Sequence, residues 1–182
     1  MLPLYPAAVM AARALDKSMR TSLPDEIVDA IQTHAVLAVA AAWIPVTGLD
    51  MAALAANTWG MYIHINKLLS LSFSENMMKS IGSAVAANLT SNLAVAGVGS
   101  LLKFIPGIGS VSGGFIMSAT MYGATLCAAW IYLMAIVNWV KEGKGSGDDL
   151  QSCVNDVIAQ NKDRIKAMMK EAKTEYRNKE SK

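Results

Sequence analysis

The chain has 182 residues, 53% hydrophobic and only 16% charged, against ~25% charged in an ordinary soluble domain. This is long enough for one domain with a proper core and too apolar for a disordered chain. A formal net charge of +2 is too small to argue for nucleic acid. Two cysteines, Cys127 and Cys153, make neither a disulfide framework nor a metal pattern.

Charge is unevenly spread. Between Ala35 and Val140 the charged side chains are Asp50, Lys67, Glu75, Lys79 and Lys103, whereas the 35 residues from Asp148 hold eight Lys/Arg and seven Asp/Glu. The pattern divides the chain into an N-terminal amphipathic segment (1–21), an apolar body (22–142) and a linker with a tail (143–182). The first segment carries Arg13, Asp16, Lys17 and Arg20. It suits a bilayer surface or the side of a bundle. With two early prolines and no basic start, it does not read as a signal peptide.

Helix starts are legible. A Ser or Thr followed three residues later by an acid offers an acceptor to orphan N–H groups and a negative charge near the positive end of the helix dipole. The pattern occurs as Ser22/Asp25, Thr47/Asp50, Ser72/Glu75 and Ser146/Asp149. It predicts helices over 23–43, 48–70, 73–104, 108–141 and 147–178. No run alternates with the period of two that a strand requires. The fold class is all-α.

Two connections share one chemistry. Ile44-Pro45-Val46-Thr47-Gly48 precedes the second helix and Ile105-Pro106-Gly107-Ile108-Gly109 precedes the fourth. The residue before a proline avoids helical dihedrals, and glycine then permits a tight reversal. Pro45, Gly48, Pro106 and Gly107 therefore mark the tips of two long apolar hairpins, with an amphipathic helix to follow. Asp50 and Lys103 flank these tips. They either pair across the hairpins or act separately as charges at helix ends.

The stretch from Phe104 to Val140 has no charged side chain, nor has Ser80 to Leu102. A membrane span needs roughly 20 apolar residues, so the hairpins read as membrane-embedded. The Lys/Arg bias puts the end away from the tips, and both termini, in the cytoplasm. Trp43 and Trp139 fall near the two boundaries. In the last long helix Gly109/Gly113, Gly114/Ser118 and Gly123/Cys127 are small residues four apart, the spacing at which helices approach closely. They form a helix-packing or oligomer face, with Gly82 and Ala86 as a matching surface on the preceding helix. In the tail, Val154, Ile158, Ile165, Met168 and Ala172 recur at helical spacing, as in a docking helix or a short coiled coil.

Sites of chemistry are sparse. His34 and His64 lie on different helices with no Cys/Asp/Glu cluster near them in sequence, a weak metal pattern. Gly143-Lys144-Gly145-Ser146 lacks the spacing and the preceding strand of a P-loop. No catalytic, metal or cofactor residue is assigned.

Three segments carry a resemblance: Ile44 to Leu54, Leu71 to Asn76 and Ser100 to Ser110. Together they resemble the bacterial DUF697 family, a domain of unknown function that includes YcjF-like inner-membrane proteins. The resemblance covers about 25–142. Some family members are fused to, or associated with, a small Ras-like GTPase domain. It therefore implies a helical module of the bacterial cytoplasmic membrane working with a GTPase partner, and no catalytic residues. This chain departs from the pattern by lacking a GTPase domain and by its long tail helix. The leading expectation is a non-enzymatic membrane scaffold or anchor that self-associates. An oligomeric channel and a soluble bundle binding a lipid or other apolar ligand are the alternatives.

Overall fold

The structure, a computed structural model, describes residues 23–41, 49–95, 111–143 and 147–168. All the regular structure in them is helical: α1 (Asp25–Ala41), α2 (Leu49–Leu68), α3 (Glu75–Val95), α4 (Val111–Lys141) and α5 (Gly147–Gln160). A helical continuation, 162–168, follows a break at Asn161. The all-α expectation holds, and the helices start within about three residues of the starts read from sequence, while the expected ends at 104 and 178 lie outside the described residues.

Local chemistry sets the ends. In α1 the amides of Ile27 and Val28 donate to the Pro24 carbonyl at 3.1 and 3.2 Å. Asp25 and Glu26 occupy the first turn, where the dipole favours negative charge. α3 is capped by Ser74, whose Oγ accepts the Met77 amide at 3.3 Å. The cap is thus two residues later than the Ser72/Glu75 spacing suggests. α2 ends in a Schellman-type turn: the Leu71 amide reaches back to Asn66 O at 2.9 Å and the Ser70 amide to Lys67 O at 3.3 Å. Ser70 sits in the left-handed conformation this motif needs (φ 55°). Gly143 (φ 63°) fills the corresponding place after α4.

α4 is the centre of the bundle. It packs against α1, α2, α3 and α5, while α1 also packs on α2 and α2 most extensively on α3. Every residue from Met121 to Ala129 is buried. A helix that is apolar on all sides must be enclosed on all sides. Gly123, Ala124, Cys127, Ala128 and Ala129 keep this one slim enough for four neighbours. Among the described residues α4 leans on α1 and α5 more than on its expected hairpin partner α3, and the expected tips of both hairpins lie outside them.

The closest helix approach also differs from expectation. A Cβ built on Gly82 would lie 2.7 Å from Trp59 Cβ, 2.8 Å from its backbone N and 2.9 Å from its Cα. Gly82 therefore admits the backbone of α2 to α3, whereas its spacing suggested a surface for α4.

α5 docks as its pattern requires. Leu150, Cys153, Val154, Val157, Ile158 and Ile165 are buried, and the opposite face, including Asp156, Lys162, Asp163 and Lys166, is exposed. Asn161, at the break, donates its side-chain amide to Val157 O at 2.8 Å.

Among the described residues one helical stretch, Thr120–Lys141, is long and apolar enough to cross a membrane. The other stretch expected to span, from Ser80 to Leu102, is described only as far as Val95.

Candidate functional site: a segregated surface and a histidine pair

The bundle sorts its exposed side chains along its length. One end gathers the start of α1, the end of α2, the start of α3 and the end of α4. It exposes Asp25, Glu26, Asp29, Lys67, Glu75, Lys79, Lys141 and Glu142, and these are interleaved with exposed Leu68, Leu69, Val137 and Val140. Glu75 and Lys79 pair at 2.7 Å. The hydrogen bond and the positive charge of Lys79 hold the Glu75 carboxyl below its usual range. Lys79 also stands 5.2 Å from the centre of the Trp59 ring. Phe73 meets Trp139 edge-on at 5.3 Å, so this Trp is shared between bundle packing and the charged end.

Toward the other end the exposed side chains change character. α1 exposes Val36 (54%) and Leu37 (53%), then Ala40. α2 exposes Ala52 and Ala56; α3 exposes Ser83, Ala84, Ala87 and Ser91. None of these is charged. The segments that continue from this end, 42–48 and 96–110, lie outside the described residues. In sequence their one charge is Lys103.

α5 limits how α4 can meet lipid. The Arg164 guanidinium lies 4.7 Å from the centre of the Trp130 ring. Trp130 is at the midpoint of Thr120–Lys141, about 15 Å from either end at 1.5 Å per residue. A bilayer placed across that stretch would set Arg164 and its exposed neighbours Asp163 and Lys162 near mid-depth. A central charge there costs at least about 2.5–3.5 kcal/mol each. In this packing α4 is a core helix, and water is needed along α5.

Inside, the buried polar groups among the described residues are neutral and, Ser118 apart, matched. Tyr62 and Tyr132 stack at 3.9 Å and 11°. The Tyr62 hydroxyl donates to Ala128 O at 3.0 Å, and that of Tyr132 to Asn66 Oδ1 at 2.8 Å. Asn66 Nδ2 lies 3.0 Å from Met78 Sδ, which completes a junction of α2, α3 and α4. Burial pushes both phenols upward, Tyr132 despite its bond to Asn66. Burial also pushes the Cys127 thiol up to about 12, the reverse of the shift that activates a nucleophilic cysteine. Thr58 and Thr125 return their hydroxyls to their own helices, at Leu54 O (2.7 Å) and Met121 O (2.9 Å).

The structure also brings together what sequence separates by 30 residues. The His34 and His64 rings meet edge to face at 5.8 Å and 66°. Asn57 clamps His34 twice: its Nδ2 donates to the His34 carbonyl at 2.9 Å, and its Oδ1 lies 3.0 Å from His34 Nδ1. His34 is half-buried and His64 exposed. Burial lowers the His34 pKa, against the opposing effect of the Asn57 bond and with a smaller push from His64. Sequence reasoning reached neither Asn57 nor the pairing. The available signal was the placing of Asn57, Gly60 and His64 on one face of α2.

Of the residues singled out from sequence, Ser118 and Gly123 are buried against the chain's own helices. They serve packing within one chain. Ser118 Oγ has no hydrogen-bond partner. Gly113 and Gly114 lie in the first turn of α4 and Asp50 in that of α2. Gly109, Pro45, Gly48, Pro106, Gly107 and Lys103 lie outside the described residues, and so does any pairing of Asp50 with Lys103. No group of three or more His, Cys, Asp and Glu that could hold a metal occurs among the described residues.

No protein-family model, curated protein or solved structure matches the chain. The likeness to the DUF697 family thus rests on its three sequence segments.

Proposed function

We propose that this chain is a non-enzymatic helical scaffold that associates with a membrane through its charge-poor end, where the sequence has only Asp50 and Lys103, while the charged end and α5 stay in water. The observation that carries this reading is the segregation of exposed charge along the bundle, with Val36 and Leu37 more than half exposed on the uncharged side. An apolar surface rimmed by polar residues is the usual mark of an interaction site. Arg164 beside Trp130 supports a bundle that enters the interface from one end rather than threading α4 across the bilayer. Within this reading the charged end is the side open to a soluble partner, the GTPase that the family resemblance implies.

Co-sedimentation of the full chain with neutral phosphatidylcholine vesicles tests the proposal. The chain is expected in the pellet. Val36→Asp with Leu37→Asp is expected to weaken binding at least about tenfold, since each large aliphatic side chain gains about 1.5–3 kcal/mol on leaving water. Because both positions are exposed, helicity by circular dichroism should not change. Wild-type protein that stays detergent-free in the supernatant would sink the reading and favour the soluble bundle.

A further inference from the structure

We infer that His34 and His64 form a binding site for one divalent transition-metal ion of the zinc or copper class, clipping α1 to α2. The inference starts from the hydrogen bonds of Asn57. Its Nδ2 donates to the His34 carbonyl, which fixes the amide so that Oδ1, an acceptor only, faces His34 Nδ1. Nδ1 must then carry the ring proton, and Nε2 is left with its lone pair. A ring N–H held by a neighbouring oxygen while the other nitrogen stands free is the arrangement that orients metal-binding histidines.

The two rings meet over one face of α2. Asn57, Gly60 and His64 succeed one another along one face of α2. A Cβ on Gly60 would lie 3.5 Å from His34 Cε1, so the ring lies over Gly60 with Nδ1 toward Asn57. Two imidazoles bound to one zinc through bonds of about 2.0–2.1 Å at the tetrahedral angle have ring centres about 5 Å apart. The present separation is 5.8 Å with the rings edge to face, so a rotation of the exposed His64 side chain brings a nitrogen of each ring to one ion. Two protein ligands leave the remaining positions to water. Imidazole suits zinc, copper and nickel and discriminates against magnesium and calcium.

The chain contains no other histidine, so an imidazole signal has one source. The test titrates the full-length protein with Zn2+ against a chromophoric chelator, with Cu2+ electron paramagnetic resonance as the second readout. The expected result is one ion per chain, a thermal midpoint that rises with Zn2+, and a copper spectrum showing two imidazole nitrogens. His64→Gln, at an exposed position, should abolish the two-nitrogen spectrum without changing the metal-free midpoint. Asn57→Leu keeps both imidazoles and should weaken binding about tenfold, as loss of an orienting partner does. Equal zinc affinity in the wild type and in the His34→Gln/His64→Gln double variant would overturn the inference, as would a wild-type spectrum with fewer than two imidazoles.

Discussion

Ser70 holds a backbone conformation (φ 55°) that costs an L-residue roughly 1–2 kcal/mol. Its amide and that of Leu71 close α2, so the turn is kept despite the cost. Ser70→Gly should stabilise the fold by about 1 kcal/mol in urea unfolding, because glycine enters this region freely. Gly82 is the opposite case. Alanine is the better helix former by ~1 kcal/mol, but its Cβ would meet the Trp59 backbone at under 3 Å. Backbone cannot swing aside as a flexible side chain can, so α2 and α3 must separate. Gly82→Ala is expected to destabilise by about 1–3 kcal/mol net. Tyr132→Phe leaves Asn66 Oδ1 without its donor in a buried site, an expected loss of about 1–3 kcal/mol. All three are read from the shift in urea midpoint at unchanged slope. Of these residues the sequence marked only Gly82, and for the wrong neighbour. Spacing reports which residues share a face, and says nothing of which helix that face meets.

At the scale of elements, the amphipathic tail was the most legible feature. Its apolar seam is the buried face of α5, and its charged face is exposed. Leu150, fully buried, anchors it near the start. Leu150→Ala should cost about 2–5 kcal/mol and expose the adjoining surface of α4. The same docking shelters Cys153, while Cys127 is enclosed in α4 itself. With the Cys127 thiol pushed up to about 12, no thiolate forms there at pH 8. A disulfide reagent at that pH should leave Cys127 unmodified in the native chain and titrate two thiols per chain after unfolding. Although α3 is capped by Ser74 and not by Ser72, and Ser22, Thr47 and Ser146 lie outside the described residues, helix starts were legible to within about three residues. The partner of each helix was not, since α4 has no polar face to say where its neighbours lie.

At the scale of the whole molecule, an uncharged stretch has two physical solutions: surround it with lipid, or surround it with helices. Sequence alone weighs them by length and charge, and by those measures α4 reads as a span. Four neighbours packed on α4 supply the second solution, and Arg164 on Trp130 keeps that side of it wet. The proposed membrane contact then moves from the sides of the hairpins to one end of the bundle. Its salt dependence follows. An end with one acid and one base, Asp50 and Lys103, gains little from anionic lipid, so vesicle binding should change less than about twofold between 50 and 500 mM salt. A steep fall with salt would assign the contact to the Lys67, Lys79 and Lys141 end instead.

The sequence by itself determined the all-α class, the helix starts to within about three residues, the amphipathic seam of α5 and the gathering of the charges of 22–142 toward one end. Each depends on composition or on contacts a few residues apart, which the chain writes locally. Only the tertiary structure decided that α4 is enclosed, that Gly82 meets Trp59, and that His34 stands beside His64 in the grip of Asn57. Those are contacts between helices, fixed by which apolar faces find one another when the core closes.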